Sequence, residues 1–317
     1  MRILWNIHLY PPKHNCGSEY MAHWTNKFLQ SCGHEVKVLH QDGSRYGIKN
    51  IYTYDGVDVF PPDNVEGMFR WADVIFTHLE YSKHTIKLAY ELKKPVVFFS
   101  HNSSDVYNER IRIGKVGVVY NSNWMKDHYK WENDGFVLNP PVDWRHYDVK
   151  TEEGEYITLI NLSINKGGEV FYILAEKFPN KKFLGVKGSY DAQIKDDRLR
   201  NVTIIENTPD ILDVYKKTRI LIMPSSYESW GRTATEAMCN GIPVICTPTP
   251  GLKENCDYAG IYCTLDSIDP WIKAIKKLDN PAQYEHYSNL AIRRSRELDP
   301  GHQLEQFNIW LQKFVRG

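Results

Sequence analysis

Short apolar runs alternate with longer amphipathic stretches along this chain, and most of the runs end in a polar or glycine-containing turn. The first run, residues 2–9, stops at Tyr10-Pro11-Pro12. From Glu19 onward apolar side chains recur at helical spacing until Gly33, and residues 35–39 form the next apolar run. A strand, a glycine-bearing turn, a helix and a second strand within about forty residues make the βαβ unit of a doubly wound parallel sheet.

The same alternation continues to the end of the chain and predicts a series of further elements. Strands are predicted at residues 73–76, 95–100, 117–121, 157–162, 182–186, 202–205, 220–223 and 243–246. Helices are predicted at residues 84–92, 168–177, 211–217, 271–278, 284–296 and 303–314. This pattern indicates an α/β fold.

One segment, Asn139-Pro140-Pro141-Val142-Asp143, suits neither helix nor strand, because its two prolines remove backbone donors and restrict φ. We therefore place a domain boundary there. The prediction is an N-terminal Rossmann-like domain at 1–143, a C-terminal Rossmann-like domain at 144–300, and a tail helix at 301–317 that packs on the first domain. Ligands of such sheets bind beyond the carboxyl ends of the strands. The loops expected to line a cleft are 10–19, 100–105, 161–167, 186–190, 206–209 and 225–232.

The composition argues against several classes of protein. Lys+Arg and Asp+Glu both number 39 in 317 residues, so no overall field attracts nucleic acid or an anionic membrane. The six cysteines show neither a C-x-x-C motif nor metal-ligand spacing, and we interpret them as reduced thiols of a cytoplasmic protein. No apolar stretch approaches the length of a membrane span, and the apolar start is too short for a secretory signal.

The stretch around Gly231 is the strongest candidate for chemistry. The apolar run Leu221–Met223 ends in Pro224, and a helical pattern begins after Gly231. The unpaired N–H groups of a first helical turn, together with the helix macrodipole, attract an anion. Two carboxylates, Glu228 and Glu236, flank that position. A nucleotide sugar matches this combination, because its phosphates suit the amides and its hydroxyls suit the carboxylates.

These residues resemble a known family. The segment E-S-W-G-R-T-A-T-E-A-M-C-N-G-I-P-V-I is similar to the E-x7-E signature of family 4 retaining glycosyltransferases, which have the GT-B fold. Further similar pieces occur in the family's order: G-H-E-V at 33–36, S-H-N at 100–102, N-P-P-V-D at 139–143, K-G at 166–167 and G-L-K-E at 251–254. The resemblance implies two Rossmann-like domains facing a cleft, with acceptor and donor sites in the first and second domains. It also implies that the C-terminal helix crosses back to the first domain, and that sugar transfer retains configuration without a metal or cofactor.

The resemblance also implies roles for individual residues. Glu228 would face the donor sugar and stabilise positive charge at the anomeric carbon, and Glu236 would bind the ribose. Lys166 would neutralise the leaving diphosphate, His101 would contact the donor sugar, and Gly17 would let the backbone approach the donor phosphates. The remaining predicted nucleotide-sugar-binding residues are Ser229, Trp230, Gly231, Arg232 and Thr233.

The chain departs from the family's pattern at two positions. Asn161 stands where the family has an arginine five residues before the lysine, and Arg232 is the expected substitute for that charge. Cys16 stands where the family has a glycine before Gly17. Asn207 and Thr208, which follow a predicted strand, are candidates for a position near the base.

Each role has a structural alternative, and so does the function. Glu236 could be a solvated helical residue, Glu228 a loop carboxylate that caps the helix, and His101 a hydrogen-bonded structural histidine. A nucleotide-sugar epimerase on the same fold and a non-catalytic nucleotide-sugar binding protein remain alternative functions. We favour a UDP-sugar over a GDP-sugar donor, and the acceptor hydroxyl could belong to a glycan, a lipid or a nucleic acid. Loops 10–16, 41–50 and 102–114 are expected to select these partners, and the oligomeric state stays open.

Overall fold

The computed structural model describes residues 1–12, 14–102, 113–129, 135–149 and 154–317. The chain forms two compact units. The first unit comprises Met1–Pro141 and Pro300–Gly317, and the second comprises Val142–Asp299. The chain therefore leaves the first unit after the Pro140-Pro141 pair and returns to it at Pro300.

The first unit is built on a sheet that has eight strands among the described residues. They are β1 (Arg2–Ile7), β2 (Glu35–His40), β3 (Tyr52–Tyr54), β4 (Val57–Phe60), β5 (Val74–His78), β6 (Val96–Ser100), β7 (Val116–Tyr120) and β8 (Gly135–Val137). Their order is β3-β4-β2-β1-β5-β6-β7-β8, and all neighbours are parallel except the β3–β4 hairpin. The helices between them are α1 (Gly17–Ser31), α2 (Val65–Trp71), α3 (Ser82–Glu91) and α4 (Asn123–Tyr129).

The second unit contains a parallel sheet with six strands in the described part of the chain. They are β9 (Tyr156–Ile160), β10 (Lys182–Val186), β11 (Val202–Ile205), β12 (Thr218–Met223), β13 (Val244–Cys246) and β14 (Gly260–Tyr262), in the order β11-β10-β9-β12-β13-β14. Its helices are α5 (Trp144–Tyr147), α6 (Gly168–Lys177), α7 (Ile211–Lys217), α8 (Arg232–Cys239), α9 (Pro250–Cys256), α10 (Asp269–Lys277) and α11 (Pro281–Glu297).

The C-terminal helix α12 (Gly301–Arg316) completes the core of the first unit. Phe307 and Leu311 on this helix are fully buried. The ring of Phe307 lies 6.2 Å from that of Phe76 on β5 and 6.0 Å from that of Phe99 on β6, measured between ring centroids. The tail therefore contributes aromatic packing to the sheet of the unit that contains the N-terminus.

The strand order reverses direction once in each parallel sheet. In the first unit the chain moves outward from β1 to β2 on one side and resumes at β5 on the other, and in the second unit β9 and β12 are the corresponding neighbours. Loops that leave two such strands turn in opposite directions, and this leaves a crevice at the carboxyl edge of the sheet. Each unit therefore offers one topologically defined place for a ligand.

The α/β doubly wound fold expected from the sequence is confirmed. The bounds of α6, β10, β11 and α7 coincide with the predicted ones. The sequence reading missed the β3–β4 hairpin and several short helices, because elements of three to seven residues leave too few positions for a period to be recognised. No helix in the described residues is long and apolar enough to cross a membrane.

Candidate active site

The crevice of the second unit is formed by the loops that follow β9 and β12. The N–H of Ser226 in the second loop donates to the carbonyl of Asn165 in the first, at 3.0 Å. Gly167 has a φ of 84°, and a Cβ built there would lie 2.4 Å from the carbonyl oxygen of Pro224. Only glycine permits both the left-handed backbone and this close approach. The two loops are therefore packed directly against each other.

This packing brings Lys166 and Glu228 into contact, although 62 positions separate them in sequence. The Lys166 Nζ donates to Glu228 Oε1 at 2.6 Å, and Ser225 Oγ donates to the same oxygen at 2.9 Å. The Glu228 side chain is 11% exposed and the Lys166 side chain 34% exposed. The pair is thus a charge-assisted contact that a ligand in the crevice can still reach.

The elbow between β12 and α8 is held from behind by α9. The Nδ2 of Asn255 donates to the carbonyls of Trp230 and Gly231, at 3.1 and 2.9 Å. A Cβ built on Gly251 would lie 2.4 Å from the carbonyl oxygen of Glu228, so α9 approaches the elbow as closely as a glycine allows. Gly231 has a φ of 85° and turns the chain into α8. Glu228 consequently lies outside the helix, as the sequence predicts.

Glu236 occupies a buried polar network on α8. Arg232 Nε donates to Glu236 Oε1 at 2.7 Å, and the Tyr215 hydroxyl donates to Oε2 at 2.6 Å. Burial and then the negative charge of Glu236 raise the pKa of Tyr215 well above its ordinary value, so the phenol stays protonated and remains a donor. Arg232 Nη2 also donates to the hydroxyl of Tyr147, at 2.7 Å. The Glu236 carboxylate is therefore held by Arg232 and by Tyr215 of α7, and Arg232 in turn contacts Tyr147 of α5.

Arg232, the expected substitute for the charge missing at Asn161, is a buried residue whose guanidinium contacts Glu236 and Tyr147, and its role towards the diphosphate stays a prediction. Asn161 itself has a φ of 74° and shapes the loop after β9. Its Oδ1 accepts from Ser163 N at 3.0 Å and from Gln193 Nε2 at 3.2 Å. Asn161 thus contributes loop geometry here.

The side chain of Gln193, which the sequence reading did not single out, joins the loops after β9 and β10. Its Oε1 accepts the N–H of Leu162 at 2.8 Å and that of Gly188 at 2.9 Å, while its Nε2 donates to the carbonyl of Tyr190 at 3.0 Å. Nothing in the local sequence marks this glutamine, because its partners lie up to 32 positions away.

His101 belongs to the crevice of the first unit, where it follows β6. Its Nε2 lies 3.0 Å from Nδ1 of His78, which ends β5. His8, which follows β1, places Nε2 3.0 Å from Oε1 of the fully buried Glu19 on α1. His8, Glu19 and His78 were not predicted. The signal that could have revealed them is the recurrence of histidines at the carboxyl ends of neighbouring strands, at His8, His40, His78 and His101.

The remaining predicted residues have more local surroundings. Gly17 begins α1 beside Cys16, and a Cβ built on Gly17 meets no atom of the described residues within 4 Å, so packing against them does not require glycine there. Asn207 Nδ2 donates to the carbonyl of Lys187 at 3.3 Å, and Thr208 Oγ1 accepts the N–H of Asp210 at 3.0 Å. Ser229 lies against Gly251, and Thr233 stands in the first turn of α8.

Two further expectations concern loops and metals. Residues 103–112 of the expected selection loop 102–114 lie outside the described residues. Within the ranges that the structure covers, no group of three or more His, Cys, Asp or Glu side chains is arranged to hold a metal ion.

Residues 173–293 match the family described as Glycosyl transferases group 1, which places α8 with Glu228 and Glu236 inside the matched segment. The chain is also 22% identical to the O-antigen chain mannosyltransferase RfbU of Salmonella typhimurium over 252 residues. That alignment covers 77% of this chain and 65% of the relative, so the chain spans less than two thirds of the relative's length. The match to this family model thus covers the greater part of the second unit, from within α6 to within α11.

Solved structures share the fold over the length of this chain. Anabaena HepE in complex with UDP-glucose superposes with a TM-score of 0.78 at 16% identity, covering 99% of this chain and 100% of that one. An alpha-glucosyltransferase in complex with UDP and a 13-mer DNA superposes with a TM-score of 0.68 at 13% identity, with full coverage of both chains. These similarities confirm the predicted GT-B fold.

Proposed function

We propose that this protein is a retaining, metal-independent glycosyltransferase that moves a sugar from a nucleotide-diphosphate donor to an acceptor hydroxyl. The observation that carries this proposal is the contact between Lys166 and Glu228 at the crevice of the second unit, directly beside the start of α8. A cation, a carboxylate and a helix N-terminus meet there, and a sugar diphosphate needs all three.

In this proposal, different residues of the crevice bind the diphosphate and the sugar of the donor. The first-turn N–H groups of α8, from Arg232 and Thr233, donate to the diphosphate oxygens, and Lys166 moves from Glu228 to the phosphate oxygens as negative charge develops on the leaving group. Glu228 then binds sugar hydroxyls and stabilises the positive charge at the anomeric carbon. Ser225 keeps the carboxylate in place through its hydrogen bond.

Transfer with retention of configuration is part of the same proposal. The acceptor hydroxyl attacks on the face from which the diphosphate leaves, and a departing phosphate oxygen takes its proton. The protein supplies positioning and electrostatic stabilisation, so no nucleophilic side chain is required. His101 contributes a contact to the donor sugar, and Gly17 leaves the backbone at the start of α1 open to the phosphates.

The network on α8 suits the ribose. Glu236 accepts the two ribose hydroxyls, as a carboxylate does in other nucleotide sites, and Arg232 and Tyr215 hold it in place. Arg232 therefore acts through Glu236 in this proposal, and Lys166 carries the charge that faces the diphosphate.

The donor and acceptor classes rest on related proteins. We favour a UDP-sugar because structural relatives were solved with UDP-glucose or UDP, and we keep a GDP-sugar as the alternative. The first unit would hold the acceptor and the second unit the donor. The acceptor would be a glycan, a lipid or a nucleic acid. The six cysteines, all unbridged, support a reducing cytoplasmic location.

The test is a transfer assay with UDP- and GDP-sugars, run with and without acceptors, in the presence and absence of EDTA. We expect transfer that needs an acceptor, resists EDTA and keeps the anomeric configuration, as read by NMR of the product. Glu228→Gln should reduce kcat by about 10²–10³-fold, the range seen when one transition-state contact is removed.

Glu155→Gln is the matched control, because Glu155 also accepts from a lysine, Lys182, at 2.6 Å but lies at the amino-terminal edge of the same sheet. It should keep full activity. Turnover of the donor without any acceptor would favour an epimerase. Tight donor binding without turnover would favour a non-catalytic binding protein.

A further inference from the structure

A cluster of four side chains lies at the carboxyl edge of the first unit, and we call it the histidine cluster. It consists of His8, Glu19, His78 and His101. The ring centroids of His8 and His78 are 5.3 Å apart, and those of His78 and His101 are 5.0 Å apart. His78 thus stands in the middle of the cluster and is fully buried.

The hydrogen bond between His78 Nδ1 and His101 Nε2, 3.0 Å long, allows two proton arrangements when both rings are neutral. Either Nδ1 of His78 carries the proton and donates, or Nε2 of His101 does. The second arrangement would leave the His78 proton on its Nε2. That nitrogen is buried and has no hydrogen-bond partner among the described residues.

An orphaned buried N–H is rarer in proteins than an orphaned acceptor, which favours an unprotonated Nε2 on His78. Burial by itself would lower the pKa of His8, but the hydrogen bond and charge of Glu19, with the charges of Glu80 and Asp42, raise it above its ordinary value.

Both other rings are neutral near pH 7. Burial, with a further contribution from His8 and His101, lowers the pKa of His78 well below its ordinary value. Burial, only partly offset by the charge of Glu19, lowers the pKa of His101 to about 4. A single proton is therefore shared in the bond between His78 and His101, and its position decides what His101 can do.

We propose that His78 is a positioning residue that donates from Nδ1 to Nε2 of His101 and thereby holds His101 as the Nδ1–H tautomer. His101 is then a neutral hydrogen-bond donor through Nδ1, suited to an oxygen of the donor sugar and unsuited to act as a base. This assignment deepens the proposed function, on which the identity of the ligand rests. The tautomer itself does not depend on it.

The first test is two-bond ¹H–¹⁵N correlation NMR on the whole protein labelled with ¹⁵N-histidine, with His101 assigned by the loss of its signals in His101→Gln. The pattern of the Nδ1–H tautomer is expected for His101 from pH 6 to 8. An Nε2–H pattern in the resting protein would overturn the proposal whether or not the protein is an enzyme.

The second test changes the donor on β5. His78→Asn keeps an N–H close to the Nδ1 position, and His78→Leu removes it. His78→Leu should change the tautomer pattern of His101 and raise KM for the nucleotide sugar up to about tenfold, the equivalent of one hydrogen bond. Its kcat should change less, and His78→Asn should restore both the pattern and KM. Equal kinetics and spectra for the two variants would contradict the assignment.

A control variant and a ligand titration distinguish the positioning of His101 by His78 from the contact of His101 with the sugar. His40→Asn alters another buried histidine, at the end of β2, and keeps an acceptor for the N–H of Gly43, so it should leave His101 unchanged. UDP-glucose should shift the His101 signals more than UDP does. An Nδ1–H tautomer without that difference would keep the positioning role and reject contact with the sugar.

Discussion

Glu228 and Glu236 stand eight positions apart in one motif, yet their surroundings differ. Glu228 lies in a loop and pairs with Lys166, whose side chain is 34% exposed. Glu236 lies in a helix, and its partners Arg232 and Tyr215 are buried with it. The members of a partly solvated ion pair can exchange partners when a ligand binds. Loss of one member of a buried pair, by contrast, strongly destabilises the folded protein, because the other charge is left buried and unpaired. The first carboxylate is thus suited to change during a reaction and the second to hold a fixed contact.

Glu236→Gln tests the ribose contact. The amide keeps the size of the side chain but loses the charge and one acceptor, so we expect about tenfold weaker binding of UDP, or ~1.4 kcal/mol. Isothermal titration calorimetry with UDP and 2′,3′-dideoxy-UDP measures it. Wild type should discriminate between the two ligands and the variant should not. If the variant and wild type showed the same ratio of affinities for UDP and the dideoxy nucleotide, Glu236 would be excluded from the ribose site.

At the scale of elements, the elbow between β12 and α8 depends on one backbone conformation. Gly231 has a φ of 85°, and a Cβ built there would lie 2.5 Å from Cδ2 of Leu252 on α9. The elbow therefore combines a left-handed residue with tight packing of two helices. Both features aim the first turn of α8 at the crevice.

Gly231→Ala should destabilise the protein by about 1–3 kcal/mol through backbone strain, plus the displacement of Leu252, and should weaken donor binding. Gly33→Ala is the matched control, since Gly33 has a φ of 79° but its Cβ would meet no atom within 4 Å. The control carries only the backbone strain. Urea denaturation and UDP titration compare the two. Equal losses of stability and of UDP affinity in both variants would show that contact with α9 does not matter.

At the scale of the molecule, each unit has its own core, and α12 belongs to the first. Phe307→Ala removes a fully buried ring and should cost about 3–5 kcal/mol, whereas Ile309→Ala on the same helix alters a side chain in a residue that is 46% exposed and should stay within about 0.5 kcal/mol of wild type. Thermal unfolding measures both. UDP affinity at 10 °C should be little changed in Phe307→Ala, because Lys166 and Glu236, the side chains that we place on UDP, belong to the second unit. A large loss of affinity would contradict that placement.

Acid should destabilise the first unit. The folded-state pKa of His101 is lowered from 6.5 to about 4, and that of His78 is lowered as well. Between those pH values the unfolded chain binds more protons than the folded one, so stability is full above pH 6.5 and falls as pH decreases towards 4. His8 acts in a different window, because its raised pKa gives stability that is lost only as pH rises above 6.5.

The urea midpoint measured at pH 7, 6.5, 6 and 5 should therefore decrease from pH 6.5 to 5, where His78 and His101 lose stability while the contribution of His8 is fully present. His101→Gln should flatten this dependence, because the glutamine side chain does not titrate. The variant His286→Gln, which alters a histidine in the second unit, should follow the wild-type curve. A midpoint that is constant from pH 7 to 5 in wild type would show that the histidines of the first unit titrate alike in both states.

Local sequence patterns determined much of this protein. The alternation of apolar runs and helical periods predicted a doubly wound α/β fold, and proline and glycine positions marked where β12 ends and α8 begins. The spacing of Glu228 and Glu236 around Gly231 identified the candidate site. All these features are local, because periodicity, capping and turn chemistry act over a few residues.

The partners of these residues were decided by the tertiary structure. Local hydrophobic periodicity does not predict the order of strands in a sheet. That order makes β9 the neighbour of β12 and β1 the neighbour of β5. For this reason the sequence predicted Lys166 and Glu228 as site residues but did not predict their contact. It also predicted His101 without indicating its partner His78. The contacts of Arg232 show the same limit, since the fold decides which carboxylate and which hydroxyl lie within reach of the guanidinium.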